Sequence, residues 1–118
     1  MENSILTDIK KLLGIDESYE PFDQDIIIHI NSFLRVLNQL GVGDSKFSIS
    51  DKNSKWIDFL GDEVEQLDEV KTYVYLRTRL VFDPPTSSFV NDSLQKVIDE
   101  LTWRLNVEVD PGMDKLEE

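Results

Sequence analysis

The chain has no cysteine and a single histidine. Disulfide bracing, thiolate catalysis and a Cys/His zinc site are therefore excluded. Its uninterrupted apolar runs are only a few residues long, far short of the roughly 20 that cross a bilayer as a helix. Met1 to Leu13 lacks the basic leader, apolar block and small-residue cleavage site of a secretory signal, so the cytoplasm is the expected compartment. Positive charge is also scarce: 12 basic residues face 24 acidic ones, a net charge of −12. Such a chain repels phosphate backbones and anionic membranes on average. The acidity has three readings: solubility, imitation of DNA, or the lining of a passage through which DNA slides without sticking.

What is present is helical periodicity. At 118 residues the chain is one domain, able to hide roughly 65% of its unfolded surface. A first helix is expected from an Ser4 N-cap to Leu13, stopped by Gly14. A loop through Pro21 precedes a longer helix, capped by Asp23 and running to about Leu40. Ile26, Ile27, Ile30, Phe33, Leu34, Leu37 and Leu40 share one of its faces. Residues 41–53 form a looser connection. Phe47 and Ile49 there imply either a short extended piece or a loop pinned by two apolar side chains. A short helix at 54–60 carries Trp56, Ile57, Phe59 and Leu60. Asp62 and Glu65 have capping-box spacing for the next helix, which runs to about Phe82. Its stripe, Val64, Leu67, Val70, Val74 and Val81, is broadened by Tyr73, Leu76 and Leu80. That width predicts a central helix packed on more than one side. Asp83-Pro84-Pro85 is a stiff elbow, because two prolines remove donors and clash with a helical backbone. Ser87 or Ser88 restarts a last helix to about Asn106, with Val90, Leu94, Val97, Ile98, Leu101 and Leu105 inward. The expected fold is all-α: a compact bundle of four main helices plus one short one, residues 1–106. Residues 107–118 form a flexible acidic tail that can order on a partner.

No catalytic or cofactor-binding constellation emerges. His29 sits at the edge of its helix's stripe without an orienting partner in the pattern. Asp16, Glu17 and Glu20 crowd a loop but lack the spacing of a calcium site. The acids at 62–69 are explained by a helix N-terminus, which favours negative charge. Gly41-Val42-Gly43 lacks the spacing and lysine of a phosphate loop. The expectation is a non-enzyme with no metal and no cofactor.

Large side chains that miss their helix's stripe point instead to binding. Trp103 lies opposite Leu94, Ile98 and Leu105, among charged residues, and Phe89, Ile28 and Val36 are similarly displaced. Tryptophan in such a position is typical of interface hot spots. Arg77 falls inside an apolar stripe, where an unpartnered guanidinium is costly. It calls for a carboxylate, either within the fold or across a subunit boundary. Arg79 projects elsewhere and is expected in solvent.

The ordered segments DIIIHINSFLRVLNQLGVG (25–43), SKWIDFLGD (54–62), VKTYVYLRTRLVFDPPTSSF (70–89) and LQKVIDELTWRLNV (94–107) resemble the head–tail connector, or head-completion, proteins of long-tailed bacteriophages. The resemblance covers most of the chain as motif order and helix plan. It implies a helical bundle that forms a closed ring of about twelve subunits with heterologous contacts. The ring would dock beneath the portal in the virion neck, after assembly in the host cytoplasm, and carry the next neck component. DNA would be passing cargo through an acidic lumen, and Trp103 to Glu118 would reach toward the portal. A small acidic DNA-mimic inhibitor of a nucleic-acid enzyme is the alternative that charge alone supports.

Overall fold

The computed structural model describes residues 4–61 and 64–109, and these fold as five α-helices. They are α1 (Ile5–Leu12), α2 (Asp23–Gln39), α3 (Trp56–Leu60), α4 (Leu67–Phe82) and α5 (Ser88–Val109), with a single 3₁₀ turn at Val64–Gln66 leading into α4. Among the described residues there is no strand, only an isolated antiparallel bridge between Ser4 and Lys55. The all-α expectation of four main helices and a short one matches this order.

Local chemistry explains most boundaries. The Ser4 hydroxyl accepts the Thr7 N–H at 3.2 Å, which caps α1 and satisfies one of its orphan donors. Asp83 leaves the helical region at the end of α4, as the following Pro84 requires. The Ser87 hydroxyl accepts the Val90 N–H at 3.3 Å and so opens α5. That helix continues to Val109, three residues beyond expectation. The expected cap at Asp62 and the tail from Asp110 onward lie outside the described residues.

Asp23 departs from its expected role. It is the first residue of α2, with Phe22 at the cap position and no side-chain cap. Its carboxylate turns to Lys10 of α1, where Nζ sits 2.8 Å from Oδ1. That contact is one of charge, since its geometry does not make a hydrogen bond to Oδ1. Lys10 is 1% exposed, and its ammonium also donates to the carbonyls of Glu17 at 3.0 Å and Tyr19 at 2.7 Å. One buried cation thus gathers the whole α1–α2 loop. A buried ammonium is tolerable only when its donors are satisfied in this way.

The core lies where α1, α2 and α5 pack on α4, the central helix. Ile5, Ile9, Ile26, Ile30, Leu34, Leu37, Val70 and Val74 are buried within it. Trp56 of α3 fills its lower side, and its indole N–H donates to Asp8 Oδ2 at 2.8 Å. Lys71 of α4 reaches the same oxygen at 3.2 Å. Three helices are therefore tied to one carboxylate. Ile57, on the outward side of α3, is exposed.

The 41–53 connection is a pinned loop rather than an extended piece. Ile49 is buried and Phe47 packs on Phe59 with ring centroids 5.6 Å apart. A third pin was not visible in the pattern: Asn31 of α2. Its carboxamide accepts from Ile49 N–H at 2.8 Å and donates to Ile49 C=O at 2.9 Å. The side chain thus supplies both bonds that a neighbouring strand would supply. Asn31→Ala leaves both backbone groups of Ile49 without their partner and should cost about 2 kcal/mol. Denaturant unfolding would measure it. A loss below about 0.5 kcal/mol would show that packing alone holds the loop.

Three valines assigned to the core by periodicity are exposed instead: Val81 at the end of α4, and Val90 and Val97 on α5. The inward stripe of α5 is well buried only in its second half, at Ile98, Leu101 and Leu105. Among the described elements, α5 packs chiefly on α4.

Candidate functional site

The elbow joins α4 and α5 into a helical hairpin. Asp83, Pro84 and Pro85 form the bend. The Asn91 carboxamide donates to Pro85 C=O at 3.0 Å, and Asn91 N–H donates to Ser87 C=O at 3.0 Å. These bonds fix the start of α5 relative to the prolines. On the other side of the bend, Phe82 meets Phe22 edge-on at 5.3 Å, and Phe22 meets Tyr19 at 5.6 Å. The end of α4 is thereby anchored to the same loop that Lys10 gathers. At the far end of the hairpin, Arg104 of α5 pairs with Glu100 and lies 3.7 Å from Glu69 of α4.

The displaced apolar residues are placed as follows. Phe89 is 78% exposed, Trp103 67% and Ile28 60%. Phe89 and Trp103 are two heptads apart on α5, which puts them on one outward face about 21 Å apart. Ile28 stands on the outer face of α2. Val36 does not stand out: it is half-buried against the core. Its wheel position is at the stripe's edge, and neighbouring helices cover that edge. Val81 at 54% exposure, and Val90 and Val97, add to the apolar surface of the hairpin. Scattered exposed apolar residues are ordinary, but a grouped set of large ones marks an interaction surface.

Arg77 is half-buried on α4, and of the two partners its position calls for, the internal one is not found among the described residues. No carboxylate among the described residues lies within ion-pair distance of it. Its guanidinium carbon instead sits 4.9 Å from the Phe33 ring centroid and 5.6 Å from that of Tyr73. Two cation–π contacts of about 0.5–2 kcal/mol each offset part of the desolvation. A groove of about 230 Å³ opens beside it, lined by Phe33, Arg77, Leu80, Val81 and Gln95. Arg79 is also half-buried rather than solvated: it donates to the Tyr75 hydroxyl at 3.2 Å, and its buried Nε has no partner among the described residues.

The residues tested for chemistry are dispersed. His29 is half-buried at the edge of α2. Asp16 accepts from the hydroxyl and N–H of Ser18 at 2.6 and 2.8 Å. These bonds, the hydroxyl first, lower its pKa below the ordinary aspartate value because they favour the charged form. A cleft of about 450 Å³ lined by Lys10, Glu17, Glu20, Asp23, Asp51 and Lys52 adjoins this loop. Its one buried cation is already engaged by Glu17, Tyr19 and Asp23. No group of three or more metal-ligating side chains occurs among the described residues.

Sequence reasoning missed Val81, Val90 and Val97 as surface residues. The only available signal was the length of α5, which exceeds that of any helix able to cover it. No described helix is long and apolar enough to cross a membrane.

Among curated proteins and among solved structures, nothing matches this chain. A family model does: that of the phage connector proteins matches residues 5–112. The match runs from the first residue of α1 through the whole of α5, and so takes in the exposed hairpin and the helices that support it. The chain belongs to the phage connector protein family, whose work in the virion is structural.

Proposed function

We propose that this connector forms a closed ring of about twelve subunits beneath the portal, through heterologous contacts between copies. The ring extends the DNA channel and offers a platform to the next neck component. The observation that carries this reading is the exposed apolar surface of the α4–elbow–α5 hairpin in a chain of the connector family. Phe89 and Trp103, with Ile28 on α2 and Val36 at its margin, contribute to contacts with neighbouring subunits or the portal. The acidic segment 107–118, which begins in the last turn of α5, contacts the portal. The excess of acidic residues suits a lumen that DNA must cross without being held, since like charges repel weakly and evenly along it. The role needs no catalytic group and no cofactor.

Native mass spectrometry and negative-stain microscopy of the chain mixed with portal test this directly. Rings seated on the portal are the expected result. A chain that stays monomeric, ignores the portal and blocks a nuclease would sink the proposal in favour of a DNA mimic. Trp103→Ala serves as a site test. Because the ring is largely solvated in the monomer, its removal should leave the melting temperature within about 2 °C while reducing assembly on the portal at least about tenfold, as loss of an interface hot spot does. Parallel losses of stability and assembly would make Trp103 a folding residue instead.

A further inference from the structure

We infer that the groove beside Arg77 is a carboxylate-binding socket for a second copy of this chain, an inference that rests on the ring proposed above. Arg77 stands where a core residue is expected, on the same stripe as the buried Val70 and Val74. Its guanidinium carbon lies over the rings of Phe33 and Tyr73, 4.9 and 5.6 Å from their centroids. That leaves the in-plane N–H donors, up to five of them, with no hydrogen bond or ion pair to any described residue. The other basic groups held in the fold do have such partners: Lys10 reaches Asp23, Lys71 reaches Asp8, Arg104 reaches Glu69 and Glu100, and Arg79 donates to Tyr75.

A half-buried guanidinium held against aromatic rings, with its N–H donors unused by the described residues, suits a planar, bidentate acceptor. Carboxylate and phosphate both have that shape. The charge of the protein decides between them. With 24 acidic residues against 12 basic, the chain repels a phosphate backbone before it reaches a single arginine. A second copy carries the same net charge, but unlike a phosphate polymer it need bring only one of its carboxylates to the groove, held there by the ring contact proposed above. The apolar side chains lining the groove, Leu80 and Val81, would lose their water when a second copy covers them, which strengthens the pair. Groove on one copy and acid on the next are different surfaces, which is the heterologous arrangement a closed ring requires.

The test uses the full chain and the portal. Arg77→Glu should fold with a native far-UV spectrum and lower the yield of rings at least tenfold. Mixed with the unaltered chain, it should act as a terminator. It still presents its own acid to one neighbour's socket but accepts none, so open arcs replace rings. Rings formed normally by Arg77→Glu would overturn the inference. If that variant does not fold, a photo-cross-linking amino acid placed at Gln95, on the rim of the groove, keeps the question decidable with Arg77 intact. Irradiated rings should yield a dimer whose acceptor peptide carries Asp or Glu from the second copy. Cross-linking to portal, or none in well-formed rings, overturns the socket and leaves the ring standing. Failure of the unaltered chain to form any ring on the portal overturns both.

Discussion

Replacing Lys10 with methionine is expected to lower the stability of the fold by about 3 kcal/mol, at the bottom of the range for breaking a buried ion pair. Methionine keeps the length and apolar stem of the side chain, so the loss reports the ammonium. Removing it leaves the Glu17 and Tyr19 carbonyls without their donor and the Asp23 carboxylate without its counter-charge. The Asp23 side chain is 23% exposed, and water reaching it moderates the penalty. For a domain of this size each kcal/mol is worth about 4 °C, so the melting temperature should fall about 12 °C. Adding Asp23→Leu to Lys10→Met should restore part of the loss, because an apolar pair replaces the ion pair and only the carbonyls stay unmet. A double variant less stable than the single one would show that Asp23 matters for reasons other than Lys10.

The second large effect is at Gly43. Its φ is +78°, in the left-handed region where a side chain costs roughly 1–2 kcal/mol. A Cβ built there would also run into the ring of Phe59. That ring is buried and packed on Phe47, so it has little room to yield, and overpacking of this kind adds about 1–3 kcal/mol. Gly43→Ala should therefore destabilise by about 3 kcal/mol, measured by denaturant unfolding. Gly14, also at positive φ but with open space around its Cβ, is the control. Gly14→Ala meets only the backbone penalty and should cost about 1 kcal/mol. Equal losses at the two sites would exclude the Phe59 contact as a cause.

The contrast between these glycines shows where sequence reading ends. Both look like helix stops. Gly14 follows the cap of α1, whereas α2 is already closed at Leu40 and Gly41, ahead of Gly43. Only the fold brings Phe59 of α3 over Gly43. Lys10 is similar. In the pattern it is one of two lysines in the last turn of a short helix, where basic residues complement the dipole. Lys11 behaves that way and is exposed, whereas Lys10 turns inward. The direction was set by three oxygens supplied seven to thirteen residues later in the chain. Asn31 likewise reads as a polar residue on the flank of α2 until Ile49 arrives beside it.

The candidate surface was half legible. Trp103, Phe89 and Ile28 were found because a helical wheel places each away from its own stripe. Val81, Val90 and Val97 were not, because the wheel places them on the stripe. A wheel reports which face a residue occupies but not whether another element reaches that height along the axis.

Local chemistry along the chain determined the all-α class, the order of the helices, the break at Pro84-Pro85 and the capping of α1 and α5, since each depends on residues within a few positions of one another. Tertiary structure alone decided that Lys10 is a clasp, that Asn31 stands in for a strand, that half of α5 lacks cover, and that Arg77 rests on aromatic rings instead of a carboxylate. These depend on which distant groups share a volume, and periodicity carries no information about length along a shared axis or about charge arriving from elsewhere in the chain.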